Sequence, residues 1–207
     1  MISKRKLLKK SRLYLIIGKD IRAVRKCLKY GADLVQLRMK KESDSFFLNK
    51  ALELKKIVQQ YDKLLIINDR PDIAFLSGAD GVHLGQNDLS IGETRRLLGK
   101  KYIIGKSTHN IKEAKDAFKE GADYIGIGPA FLTATKPRLK PVGLKIIEEI
   151  INMTPVPYFV IGGINPQNIS RLSAIKAKRI AVFSFIIESA DPAGQTNKLI
   201  EKLDSQC

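Results

Sequence analysis

One three-residue phrase recurs along this chain, always at the junction between two kinds of pattern. Gly-Ala-Asp stands at Gly31-Ala32-Asp33, Gly78-Ala79-Asp80 and Gly121-Ala122-Asp123. Each copy ends a stretch with helical spacing of apolar residues and is followed directly by a short apolar run. Glycine at such a junction suits the left-handed residue that stops a helix. A short apolar run bounded by turn residues reads as a buried parallel strand. Strands are therefore expected at 13–17, 34–37, 64–67, 81–84, 103–105, 124–127, 158–161 and 180–183. Helices are expected between them, over 20–30, 44–61, 71–77, 91–98, 111–120, 144–152, 166–175 and 193–204.

Several helix starts carry their own signals. Ser90 and Asn110 are each followed three residues later by a glutamate, Glu93 and Glu113, the spacing of a capping box. Asn165-Pro166 places proline at a first helical position. Eight strand–helix units in 207 residues, with no Pro/Gly/Ser-rich linker, predict an α/β protein folded as a single (β/α)8 TIM barrel. An open doubly wound sheet would normally carry a glycine-rich dinucleotide loop after its first strand, and Gly18-Lys19-Asp20 is not one. Residues 13–207 are read as the catalytic barrel and 1–12 as a basic, flexible N-terminal tail that the chemistry does not need. The Gly-Ala-Asp phrase is missing before the eighth strand, where Lys176-Ala177-Lys178-Arg179 stands instead.

The chain has 37 Lys and Arg against 21 Asp and Glu, a net charge of +16. Three sources could give that charge: nucleic-acid binding, capture of anionic substrates, or a generally lysine-rich surface. The helical lysines are interleaved with acids, as on solvated helix faces. No aromatic residue is interleaved with the basic residues before Tyr14, which counts against a nucleic-acid partner. No apolar run approaches the ~18 residues of a membrane span, and the run after the basic start is too short for a secretory signal. Cys27 and Cys207 lie far apart, without metal or redox spacing, which suits free thiols in a reducing cytoplasm. The sequence leaves open whether identical chains assemble into a homo-oligomer.

In a barrel the loops leaving the C-terminal strand ends form the active-site face, and here those ends are polar. The third strand runs into Asn68-Asp69-Arg70, the fourth into Gln86-Asn87-Asp88. Asp69 and Asp88 would face one pocket as hard oxygen ligands suited to Mg2+; the alternative is that both cap helices. After the second strand, alternation sets Gln36, Arg38 and Lys40 on one side and Leu37 and Met39 on the other. Two cations and an amide aimed into the mouth suit a diphosphate. Ser107 and Thr108 could cap a helix or bind substrate. Thr133-Ala134-Thr135-Lys136 reads as an oxyanion clamp in a long loop. Gly162-Gly163 and Ser184 follow strands seven and eight, the common phosphate-binding place in such barrels. His83 is expected to pack or support, His109 to belong to a helix entry, and neither has a partner for a nucleophilic triad.

Gln-x-Arg-x-Lys, Asn-Asp-Arg, Gly-Val-His-Leu-Gly-Gln-x-Asp, Gly-x-Ser-x-His, Gly-Pro-x-Phe-x-Thr-x-Thr-Lys and Gly-Gly-Ile occur in that order. Over about residues 13–184 this closely resembles the thiamine phosphate synthase family. The resemblance implies condensation of 4-amino-2-methyl-5-(diphosphooxymethyl)pyrimidine with 4-methyl-5-(2-phosphoethyl)thiazole, or its 2-carboxy form, in thiamine biosynthesis. The products would be thiamine phosphate and pyrophosphate, with Mg2+ as cofactor and departure of pyrophosphate ahead of attack by the thiazole. Gln36, Leu37, Arg38, Met39, Lys40, Asn68, Ser107 and Lys136 would form the pyrimidine diphosphate site. Arg38, Lys40, Ser107 and Lys136 would act on the reacting groups. Thr133, Ala134, Thr135, Gly163, Phe183 and Ser184 would hold the thiazole phosphate, and Asp69 and Asp88 the metal. The chain departs from the family pattern at Met39, commonly acidic, and at Phe183-Ser184-Phe185, bulkier than the usual Val-Ser-Ala. A thiazole tautomerase shares much of this pattern but resembles an enzyme with a histidine after strand six; residues 128–140 contain none.

Lys136 follows the two clamp hydroxyls, so its expected role is to stabilise the departing anion. Lys136→Ala should lower steady-state turnover by ~10²–10³, the scale of losing one positioned electrostatic donor. Lys136→Arg should recover part of it, because charge is kept while geometry changes; an arginine variant as inactive as the alanine one contradicts this role.

Overall fold

The computed structural model describes residues 3–133 and 139–205. Eight strands pair in parallel and in sequence order, β8 returning to β1, to close a barrel. They are β1 (Leu13–Ile17), β2 (Leu34–Leu37), β3 (Leu64–Asn68), β4 (Gly81–Leu84), β5 (Ile103–Thr108), β6 (Tyr124–Ile127), β7 (Tyr158–Ile161) and β8 (Ile180–Val182). The helices are α1 (Lys4–Lys10), α2 (Val24–Lys29), α3 (Asp44–Gln59), α4 (Pro71–Leu76), α5 (Ile91–Leu98), α6 (Ile111–Lys119), α7 (Leu144–Met153), α8 (Ser170–Ser173), α9 (Ser184–Ile187) and α10 (Pro192–Asp204). Among the described residues closure leaves no strand edge unpaired.

The alternation of each strand divides the apolar residues into two cores. Tyr14, Ile16, Leu34, Leu64, Ile66, Ile103, Tyr124 and Phe159 fill the barrel interior. Their neighbours Leu15, Val35, Leu65, Val82, Ile104, Ile125 and Val160 face the surrounding helices. The interior is thus a packed core rather than a pore. It is crowded enough that β5 needs a glycine at 105, because a Cβ there would come within 2.1 Å of the Tyr124 ring.

The three Gly-Ala-Asp phrases act alike. Gly31, Gly78 and Gly121 have φ of 107°, 64° and 86°, the left-handed conformation that ends each helix. The aspartate then turns back to the start of the preceding strand. Asp33 accepts from the Arg12 and Leu13 amides, Asp80 from Leu65 and Asp123 from Ile104, at 2.8–3.3 Å counting the reciprocal backbone bonds.

The same carboxylates anchor the segment expected to be a flexible tail, which corrects that expectation. Ser3 caps α1 through Lys6 N. Lys4 pairs with Asp80 at 3.0 Å and Arg5 with Asp123 at 2.8 Å. Leu8, only 1% exposed, joins the barrel interior from below. Arg179, in the segment lacking the phrase, holds the other end of α1 by donating to the Ser11 and Lys9 carbonyls at 3.1 and 2.6 Å. The helix closes the barrel floor.

Three further helices differ from expectation, α2 because it starts only at Val24 rather than at 20. The 166–175 stretch narrows to α8, because Asn165 Oδ1 draws the Gln167 and Asn168 amides into turns first. Strand eight stops at Val182, and Ser184–Ile187 turns into the short helix α9.

If α1 is a stopper, Leu8→Ala should cost about 2–4 kcal/mol of unfolding free energy in urea, the usual loss on emptying a buried leucine site. Lys10→Ala, on the exposed face, should change it by less than about 0.5 kcal/mol. Equal and negligible effects of both would return α1 to a dispensable tail.

Candidate active site

At the C-terminal end of the barrel lies a cavity of about 370 Å³. Gln36, Arg38, Asn68, Ser107, Thr133, Gly163, Phe183 and Ser184, all expected site residues, line it. Leu37 and Met39 do not; both are buried in the core between barrel and helices, as the alternation of β2 requires. Lys40 reaches from the same edge to Asp69, with Nζ 3.0 Å from Oδ2. Ala134, Thr135 and Lys136 lie outside the described residues.

The β3–β4 pairing positions the two carboxylates. Asn68 pairs opposite His83, and the next amide, Asp69 N, donates to the His83 carbonyl at 2.9 Å. Asp69 then leaves the strand with φ of 61°, a left-handed conformation that aspartate tolerates better than most residues. Its carboxyl meets that of Asp88, whose Oδ2 also accepts from Gly85 N at 2.6 Å. Burial, and then the neighbouring Asp69 carboxyl, push the Asp88 pKa up, while the Gly85 amide and Lys40 pull it down. Neither aspartate caps a helix: α4 has Arg70 at its N-cap with no side-chain cap, and α5 has a Ser90–Glu93 capping box. The capping alternative is thereby removed. Nor do Ser107 and Thr108 cap α6, which starts on Asn110.

The cavity floor is polar and connected. Gln36 Nε2 donates to the Tyr14 hydroxyl at 2.6 Å, and that hydroxyl lies 2.9 Å from the Tyr124 hydroxyl. Tyr124 reaches His83 Nδ1 at 3.0 Å, and His83 Nε2 reaches Ser107 Oγ at 2.9 Å. The supporting role expected of His83 is thus a specific one. Tyr14 was not singled out by sequence reasoning, yet the signal was present: it is an inward position of β1 carrying a polar tip. His109 lines the cavity as well as starting the turn into α6, with Glu113 accepting from both its amide and its Nδ1.

Opposite the carboxylates, Gly162 and Gly163 have φ of 105° and 64°. A Cβ on Gly163 would lie 2.3 Å from the Leu132 carbonyl. Glycine is therefore needed here to let the loop after β6 pack on the loop after β7, a reason separate from any phosphate. Phe183 and Phe185 both line this side of the cavity.

The sequence pattern of the thiamine monophosphate synthase family matches residues 13–186, the whole barrel from β1 into α9. The chain belongs to the thiamine monophosphate synthase family. It is 43% identical over 183 residues to the thiamine-phosphate synthase of Synechococcus sp. (strain WH7803), covering 88% of this chain and 52% of that protein. It is 40% identical over 194 residues to that of Synechocystis sp., covering 92% of this chain and 57% of the relative. The chain thus spans a little over half the length of these curated relatives. A solved thiamine phosphate pyrophosphorylase from Pyrococcus furiosus superposes with a TM-score of 0.88 at 30% identity, covering 98% of both chains. A geranylgeranylglyceryl phosphate synthase from Thermoplasma acidophilum, at 14% identity and a TM-score of 0.71, shares the fold alone.

In this member of the thiamine monophosphate synthase family, the Asp69–Asp88 contact places two acids together at a cost to the fold. Because the Asp88 pKa is raised on folding, its proton-linked stability is present at low pH and is lost as pH rises. Asp88→Asn should therefore raise the melting temperature at pH 7 by about 1–2 °C. The gain should shrink in acid, where the wild-type carboxyl takes up its proton. A melting temperature lowered equally at both pH values would show that the pair is not in conflict.

Proposed function

We propose that the chain is a thiamine phosphate synthase that joins an aminopyrimidine diphosphate to a thiazole phosphate. The observation that carries this reading is the paired Asp69 and Asp88, bridged to Lys40 beside a polar-floored cavity also lined by Arg38. Family membership and the likeness to the Pyrococcus enzyme support it.

The donor set fits a magnesium ion. Two oxygen ligands converge, and among the described residues no group of three or more His, Cys, Asp or Glu forms a closed metal cage. An ion held by Asp69 and Asp88 would complete its shell with water and substrate phosphate oxygens, the usual habit of Mg2+. When bound, it would supply positive charge against the developing pyrophosphate.

The chain's own residues then have separable tasks. Arg38 and Lys40 meet the diphosphate oxygens, with Lys136 as a further cation from the clamp loop. Gln36 and Asn68 orient the pyrimidine, and Ser107 donates a hydrogen bond. As the methylene C–O bond breaks, its electron pair leaves with pyrophosphate, and the thiazole nitrogen supplies the pair for the new C–N bond. No enzyme nucleophile is required. The apolar walls, including Phe183 and Ile164, hold the two rings in line and exclude water that would otherwise capture the carbocation. Thr133, Thr135, Gly163 and Ser184 would hold the thiazole phosphate.

A cytoplasmic location and small-molecule partners go with this reading. Among the described residues no helix is long and apolar enough to cross a membrane. The basic residues Lys4, Arg5 and Arg179 are engaged with the barrel floor, which weighs against a nucleic-acid tail.

Purified protein supplied with both substrates and Mg2+ should yield thiamine phosphate, detected by mass. Asp69→Asn and Asp88→Asn should stay folded, lose at least ~10² in turnover and need more Mg2+ for half activity. Their effects should be non-additive, because both act through one ion. Product formation with unchanged Mg2+ dependence in both variants would refute the metal site; no product from wild type would refute the activity.

A further inference from the structure

A hydrogen-bond chain lies buried beneath the cavity, and its direction would dictate what a bound ring must present. Tyr14 and Tyr124 are 2% and 0% exposed. Burial holds both phenols well above the usual tyrosine range, so each keeps its proton. A protonated phenol has one hydrogen to donate. Tyr14 accepts from Gln36 Nε2, so its own hydrogen goes to its other partner, Tyr124. Tyr124, having accepted, gives its hydrogen to His83 Nδ1. That requires a neutral imidazole bare at Nδ1 and protonated at Nε2, which donates to Ser107 Oγ. The Ser107 hydrogen is left to point into the cavity that Ser107 lines. At the other end, Gln36 spends one of its two Nε2 hydrogens on Tyr14, which fixes the amide's orientation and leaves Oε1 for whatever enters.

We propose that Tyr14, Tyr124 and His83 are positioning residues that make this floor a one-way hydrogen-bond chain, so that Gln36 is held in one amide orientation with Oε1 as its acceptor for the ligand and Ser107 keeps its hydrogen as a donor. The inference rests on the aminopyrimidine reading for the identity of the ligand. A ring bearing an exocyclic amine gives Gln36 Oε1 the donor it needs, whereas a ring with a carbonyl in that place sets one acceptor against another. A buried mismatch of that kind is poorly tolerated. Discrimination between the amino and oxo rings is therefore built into residues that include two buried phenols, one of which, Tyr124, reaches the ligand only through others.

The chain's polarity is tested without any ligand by long-range ¹H–¹⁵N spectra of histidine-labelled protein at neutral pH. The expected result is His83 with its proton on Nε2. Tyr124→Phe, which removes the donor to Nδ1, should give a mixture of tautomers, whereas Tyr14→Phe should leave His83 unchanged. In the second arm, calorimetry compares binding of the 4-aminopyrimidine diphosphate with its 4-oxo analogue. Each variant, folded as shown by circular dichroism, should lose about tenfold or more of the wild-type preference for the amino ring. A general packing defect would weaken both rings equally. A wild-type His83 protonated on Nδ1 would mean the chain runs the other way and overturns the proposal. So would a tautomer and ring preference that Tyr124→Phe leaves unchanged. If wild type binds neither ring, the aminopyrimidine reading fails, while the spectra still decide the direction of the chain.

Discussion

The last hydrogen bond of the β3–β4 pairing, from the Asp69 amide to the His83 carbonyl at 2.9 Å, sets the geometry of the whole barrel mouth. It carries the ladder one residue beyond Asn68, so that Asn68 still faces the cavity while Asp69 turns out of the strand with φ of 61°. That turn brings the Asp69 carboxyl to Asp88 and within 3.0 Å of Lys40. Moving the end of β3 by one residue would exchange inward and outward side chains and disperse the cluster. The same pairing fixes His83, through which the floor of the cavity reaches Ser107. Site and fold therefore share one set of backbone hydrogen bonds.

The two ends of the barrel use charge in different ways. At the lower end, the Gly-Ala-Asp aspartates are satisfied by strand amides and by lysine and arginine, including Lys4, Lys55 and Lys63. At the upper end, Asp69 and Asp88 are set against each other and, among the described residues, Lys40 alone is paired with them by an ion pair. A satisfied carboxylate strengthens the fold, whereas an incompletely neutralised pair costs it stability and marks a candidate functional site. Part of the +16 net charge is thus structural, spent on closing the barrel floor.

Most of the barrel is legible in the sequence because its strands are short apolar runs between strong punctuation. All eight strands stand at their expected positions, with β3 and β5 running longer and β8 ending sooner. The site residues on strands were equally legible: period-two alternation separates Gln36 and Arg38 from Leu37 and Met39 without a structure. What failed was non-local. Helix α1 has a single buried residue, Leu8, too little for a periodic signal, and its order comes from Asp80, Asp123 and Arg179, all distant in sequence. Helix α9 begins Ser-Phe-Ile-Ile, which reads locally as the end of a strand. The Gln36-to-Ser107 chain joins five strands, and no spacing along the sequence could reveal it.

The central claim is that Asp69 and Asp88 are held together for a cation completed by a diphosphate. Calorimetric titration of Mg2+ in the presence and absence of pyrophosphate tests it most directly. The account predicts that pyrophosphate tightens Mg2+ binding by about tenfold or more, and that Mg2+ tightens pyrophosphate by the same factor, since such coupling is reciprocal. Asp88→Asn should remove most of that coupling while leaving the protein folded. Independent binding of the two ligands, with Asp88→Asn indistinguishable from wild type, would contradict it.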